Sequence, residues 1–185
     1  MRIAVFILFL VLVIVIDTRF MEALRIGAVL PGIAGTLAVF LVLCANRSHA
    51  LWACLAIGLM LDFSEFALYD GDIAYCLVGP YTLGFLFGAN LILPLRAMVF
   101  SRNPMTFGVL AFLFMVAVTV VYLMIWEIRG LYPGSPPPWI EASILDELGR
   151  RVLCALYSGL VAIPVGWFLV KTSPLWGFTG SVARR

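Results

Sequence analysis

Uncharged apolar runs alternate with short charged stretches along the chain. A helix rises about 1.5 Å per residue and must cross roughly 30 Å of hydrocarbon, so about 20 such residues in a row predict a membrane span. Ile26–Ala45, Ile73–Leu95 and Asn103–Trp126 hold 20, 23 and 24 residues, and Val152–Val170 holds 19. Ile3–Ile16 and Ser48–Leu61 hold 14 each, so polar flanks must enter the interface if either is to cross. With those flanks the pattern predicts spans over residues 3–20, 26–45, 47–66, 73–95, 103–126 and 152–170. The expected fold is an all-α membrane protein, a single integral membrane domain over residues 1–185 with six transmembrane helices. The first run, behind Met1 and Arg2, also has the length of a signal-peptide core. Asp17-Thr18-Arg19-Phe20-Met21 follows it in place of a small-residue cleavage site, which favours an uncleaved anchor.

Six crossings put both termini on one side, and positive charge selects the side. The stretch from Asp62 to Asp72 has no Lys or Arg but holds Asp62, Glu65, Asp70 and Asp72, which places it outside. Arg2, Arg47, Arg96, Arg102, Lys171, Arg184 and Arg185 then lie inside, seven against the five outside at Arg19, Arg25, Arg129, Arg150 and Arg151. The one long outer segment, 127–151, begins with Gly130, Pro133, Gly134 and Pro136-Pro137-Pro138, a composition that favours extended polyproline II. After it Trp139, Ile140, Ile144, Leu145 and Leu148 recur at helical spacing. Asp146 with Arg150 and Glu147 with Arg151 make i,i+4 pairs. The pattern predicts a short amphipathic helix feeding into the last span; a plain linker with a helical end and a docking surface are both open readings.

The third run carries a polar anomaly. Extending it to spanning length takes the helix from about Arg47 to about Phe66 and brings Asp62 inside the outer part of the membrane. Steps of four back from Asp62 reach Gly58, Cys54 and Ala50, so the acid shares a face with small residues where another helix can approach. A carboxylate so placed faces protein or a cavity, or else simply reaches the headgroups as part of an acidic loop. Gly84 and Gly88 make a Gly-x-x-x-Gly step in the fourth span, and Ala155, Ser158, Gly159, Ala162 and Gly166 line one side of the sixth. Spacing leaves open whether these stripes meet helices of this chain or of a partner. Asn90 is an amide in lipid that needs a hydrogen-bond partner. Pro94 and Pro164 are positions where a helix kinks or breaks.

Composition agrees with the membrane reading: 64% of the residues are hydrophobic and 12% charged, against about 45–50% and about 25% in soluble domains. A net charge of +2 offers no basic surface for nucleic acid. Cys44, Cys54, Cys76 and Cys154 form no Cys-x-x-Cys pair and His49 is the single histidine, so neither a metal nor another cofactor is expected. No Gly-x-Ser-x-Gly, His-Glu-x-x-His or Walker loop occurs, and no catalytic residue is expected. Tyr69-Asp70-Gly71-Asp72 faintly resembles intramembrane aspartyl protease motifs, but both acids sit together in a turn-prone stretch.

The chain resembles the MreD family of bacterial rod-shape-determining membrane proteins. The resemblance spans most of the chain, from the N-terminal anchor through Arg25-Ile26-Gly27-Ala28-Val29-Leu30-Pro31, where the family has a glycine and a proline before its second span. Its most specific piece is Gly58-Leu59-Met60-Leu61-Asp62, similar to the family's Gly-Leu-x-x-Asp ending of the third span. Gly71, Gly79, Gly84 and Gly88 echo the glycine-bearing loop and helix that follow, and Leu156-Tyr157-Ser158 opens a stretch like the closing helix. Gly32 stands where the family often has Asp, and Ser158 near where it often has Asn. The four-acid loop and Pro136-Pro137-Pro138 are also departures.

The resemblance implies a noncatalytic scaffold of the cell-elongation (rod) complex in the bacterial cytoplasmic membrane, with both termini cytoplasmic. Its implied partners are MreC and, indirectly, RodA, a class B penicillin-binding protein and MreB; the lipid bilayer surrounds it and nucleic acid is not a partner. The residues offered for partner binding or helix packing are Ala50, Cys54, Gly58, Asp62, Gly84, Gly88, Asn90, Ser158, Gly159, Ala162 and Gly166. The family's fold is similar to the S components of energy-coupling-factor transporters, which makes a solute-binding vitamin-transporter subunit the alternative. S components dock their coupling partner through an Ala-x-x-x-Ala step on the first helix; here Leu8 follows Ala4.

Overall fold

The computed structural model describes residues 2–65, 67–69, 73–97, 104–131, 139 and 143–177. Among them six α-helices form where the apolar runs predict them: α1 (Ile3–Val15), α2 (Ala34–Cys44), α3 (Arg47–Ser64), α4 (Pro80–Ile92), α5 (Pro104–Gly130) and α6 (Ile144–Thr172). The differences lie at their ends. Ile3–Leu24, Met105–Gly130 and Ile144–Trp176 are long and apolar enough to cross a membrane. α2 and α4 hold only 11 and 13 residues, about 16 and 20 Å.

The predicted second span therefore starts eight residues late, at Ala34 instead of Ile26. Gly27 adopts φ +61, and Ile26 and Val29 exchange backbone hydrogen bonds of 3.1 and 3.0 Å across the turn it permits. Pro31 then lacks the N–H that a continuing helix needs. The predicted fourth span also starts late. Ile73–Tyr75 pairs antiparallel with Ala67–Tyr69 as a two-stranded hairpin, β2 on β1, in the register Ala67 to Tyr75. Gly79 at φ +138 then turns the chain into α4, with Pro80 at the first helical position. At the other end Pro94 falls in a 3-10 turn, Leu93–Ala97, that ends the helix. Pro164 lies inside α6 without ending it.

Residues 144–151 are helical, as their spacing predicts, but they are the first two turns of α6 and not a separate surface helix. Of the predicted ion pairs there, Glu147 with Arg151 forms at 2.6 Å. Asp146 does not pair with Arg150. It accepts a hydrogen bond from Ser143 Oγ (2.7 Å), while its own backbone N–H is capped by that oxygen. Arg150 turns to Glu147 instead. Pro136-Pro137-Pro138, Asp70, Gly71, Asp72 and Arg102 lie outside the described residues.

α2 is the centre. All eleven of its residues are buried, and α3, α4, α5 and α6 pack around it in chain order. α1 lies outside this group, touching α2, α3 and the 3-10 turn Ser173–Trp176 that ends the described chain. Trp176 is fully buried, with its ring 4.8 Å from Phe9 and 5.3 Å from Phe40. The Arg2 N–H donates to the Trp176 carbonyl at 2.9 Å, so the two ends of the described chain meet. Leu8 and Leu12 on α1, Leu83 and Phe87 on α4, Val109 and Met124 on α5 and Leu153 and Leu160 on α6 are exposed outward, the apolar exterior a bilayer requires.

Glycine lets the outer helices touch. Gly108 of α5 and Gly159 of α6 face each other so closely that a Cβ on either would sit 2.9 Å from the other's carbonyl oxygen. Gly159→Val should lower stability by about 1–3 kcal/mol, because backbone and not side chain must move. Gly149→Ala, with nothing near its would-be Cβ, should be neutral or slightly stabilising. Denaturation midpoints in a mild detergent check both.

Candidate functional site

Asp62 ends the buried face of α3 and is itself 2% exposed. Its carboxylate accepts backbone N–H bonds from Tyr81 (2.8 Å), Gly79 (2.9 Å) and Thr82 (3.0 Å), and the Thr82 hydroxyl donates at 2.6 Å. A helix leaves its first N–H groups without intrahelical partners, and in an apolar bundle no water supplies them. Asp62 supplies them for α4, and its negative charge sits at the positive end of that helix dipole. The small-residue stripe makes this reach possible. Ala50, Cys54 and Gly58 are buried with it, and a Cβ on Gly58 would lie 2.6 Å from Thr82 Cα and 2.8 Å from the Tyr81 carbonyl oxygen. Of the two readings of Asp62, the structure supports the one in which it faces protein.

α2 is closed in the same way at both ends. Asp17, in the widened turn after α1, accepts from Ile33 N–H (2.7 Å) and Ala34 N–H (2.8 Å). Gly32 N–H donates to Ser158 Oγ at 2.8 Å, and that hydroxyl donates onward to the Cys154 carbonyl at 2.7 Å. Gly32 and Ser158 are thus in contact. At the other end Arg96 Nη1 donates to the Ala45 carbonyl at 2.6 Å. An acid at the N-terminus and a guanidinium at the C-terminus both complement the helix dipole.

A second polar group joins four helices at the Asp62 end. Glu65 accepts from Tyr81 Oη (2.6 Å) and Tyr122 Oη (2.9 Å), so Tyr81 is held by Asp62 at its backbone and by Glu65 at its ring. The Arg151 guanidinium stacks 3.8 Å over the Tyr122 ring and bonds to Glu147, which is 5% exposed and also binds Arg150 at 2.6 Å. Trp126 and Trp139 pack edge to face beside Tyr122, with ring centroids 6.2 Å apart. Cys76, in the loop between β2 and α4, donates through Sγ to the Asp62 carbonyl. Burial, with the Asp62 and Glu65 carboxylates, pushes its thiol above the ordinary value.

The remaining stripe residues are placed between helices of this chain. Gly84 and Gly88 face α5, where their would-be Cβ atoms meet Val118 and the Phe114 ring at 3.0 and 2.9 Å. Gly159 and Gly166 meet α5 at Gly108 and Phe107, and Ala162 is fully buried. Asn90 differs: it is exposed, and its Nδ2 bonds to the Leu86 carbonyl of its own helix at 2.9 Å. Asp17, Glu65, Tyr81, Thr82 and Arg96 were not singled out from the sequence as site residues. Asp17 had a signal: it follows one 14-residue run directly, as Asp62 follows the other.

No group of three or more His, Cys, Asp or Glu able to hold a metal occurs among the described residues. Comparison with protein-family models, with curated proteins and with solved structures finds no match.

Asp62→Ala should destabilise the chain by about 2–4 kcal/mol, since it strands several buried donors at once. Asp62→Asn should fall between it and the native protein, because an amide keeps one acceptor oxygen. Unfolding midpoints of the three proteins rank them.

Proposed function

We propose that this chain is a noncatalytic scaffold of the cell-elongation complex, similar to MreD. It sits in the bacterial cytoplasmic membrane with both termini cytoplasmic. It binds MreC directly and, through it, helps position or regulate RodA and the class B penicillin-binding protein alongside MreB filaments. The observation that carries the reading is the joint between α3 and α4. Gly58 and Asp62, the glycine and the acid of the motif on which the resemblance most depends, are the pair that seats one helix end on the other.

Two further features support it. Asp62, Asp17 and Glu147 are all engaged in closing helix ends or holding neighbouring arginines. The middle of the bundle is filled by Leu37, Phe40, Leu41, Phe85 and Phe114, with Phe85 and Phe114 edge to face at 5.0 Å. Those side chains occupy the place a bundled solute would need, which weighs against the vitamin-transporter alternative. A rigid bundle with an apolar exterior suits a role played by lateral packing in the membrane plane.

Depleting the protein in its native bacterium should round and swell the cells, and MreC should copurify with it in mild detergent. Asp62→Ala should reduce the copurified MreC several-fold. Purification without MreC but with a tightly held vitamin-sized ligand would overturn the proposal in favour of the transporter reading.

A further inference from the structure

α4 carries a stripe that the bundle does not cover. Leu83, Phe87 and Leu91 are 53%, 51% and 45% exposed, and Asn90 and Pro94 are exposed with them. The opposite face, with Gly84, Phe85, Gly88, Ala89 and Ile92, is buried against the rest of the chain. Positions 83, 87, 90 and 94 are separated by steps of four, three and four, the heptad spacing of a seam between two helices crossing at about 20°.

Asn90 sets the depth and the chemistry of this seam. α4 and its 3-10 extension together run about 30 Å, and Asn90 lies about 15 Å from the Pro80 end, halfway along. The amide is therefore midway along an outward face otherwise made of Leu, Phe and Pro. It has two N–H donors and a carbonyl acceptor. One N–H is taken by the Leu86 carbonyl, and no described residue bonds to the other N–H or to Oδ1. Amide groups left unmet in an apolar surrounding are strongly unfavourable.

The unmet groups are one donor and one acceptor, which is the set an identical amide satisfies. Two copies of a membrane protein share one orientation, so a two-fold axis relating them runs along the membrane normal. Each residue near that axis meets its own image at its own depth. A second copy thus presents a matching amide at the same depth by symmetry, whereas any other helix would need a polar side chain placed there independently. We infer that α4 pairs with α4 of a second copy of this chain, with the two Asn90 amides reciprocally hydrogen-bonded at the centre of a Leu83, Phe87, Asn90 and Pro94 seam. The inference does not depend on the scaffold reading.

The full chain, labelled with donor or acceptor fluorophores and reconstituted in phosphatidylethanolamine and phosphatidylglycerol vesicles, tests it by energy transfer across a range of protein-to-lipid ratios. The native chain should dimerise. Asn90→Leu should weaken dimerisation at least about tenfold, while Asn90→Gln, which keeps the amide, should stay within about threefold. The unfolding midpoint of Asn90→Leu should match or exceed that of the native chain, which separates lost pairing from lost folding. Phe87→Cys should cross-link two copies readily, and Leu160→Cys, on the exposed face of α6, should not. A monomer at every ratio, a dimer indifferent to Asn90→Leu, or cross-linking from position 160 in place of 87 would each overturn the inference.

Discussion

A helix that stops inside an apolar bundle exposes N–H and carbonyl groups that nothing around it can hydrate. In water such an end costs little; in hydrocarbon each open group costs several kcal/mol. α2 and α4 both stop this way, with 11 and 13 residues each. The chain closes their N-termini with carboxylates from the preceding helices, Asp17 for α2 and Asp62 for α4. Ser158 and Arg96 complete the closure of α2. Each of these bonds also joins one helix to another, so satisfying the backbone and assembling the bundle are one event.

The packing follows from that requirement. Burying apolar side chains contributes little to helix association in lipid, where the surroundings are equally apolar, and close contact and hydrogen bonding matter more. Gly58 lets α3 approach the first turn of α4 closely enough for Asp62 to reach three backbone N–H groups. Gly84 and Gly88 then bring the same helix onto α5, and Gly159 and Gly166 bring α6 onto its other side. Beyond Asp62, Glu65 and the Tyr81, Tyr122 and Arg151 group tie the ends of α3 to α6 on that side together. Along their middles the outward faces are largely apolar, and Asn90 on α4 is an exposed amide among them.

Six helices were legible in the apolar runs, because run length and the absence of charge dictate where a chain can enter lipid. The face Ala50, Cys54, Gly58 and Asp62 was legible too, since helical periodicity alone places those residues together. The late starts of α2 and α4 were not. Ile26–Ile33 and Ile73–Gly79 are as apolar as the helices they precede, and what stops the helix there is backbone geometry at Gly27, Pro31 and Gly79. The contacts of Asp17 and Glu65 were not legible, because their partners are backbone groups and tyrosines at least 16 residues away, at Ile33, Tyr81 and Tyr122. No local pattern announces such partners. The contact of Arg96 was equally hidden, since its partner is a carbonyl 51 residues earlier.

If Asp62 is what holds the start of α4 closed, the amides of Tyr81 and Thr82 should report it directly. Amide hydrogen exchange followed in the detergent-solubilised native chain should show both protected to the level of the α4 interior. In Asp62→Ala the protection of these two should fall by at least about an order of magnitude, with α5 unaffected. Equal exchange of Tyr81 and Thr82 in the two proteins, or fast exchange of both in the native chain, would contradict the account.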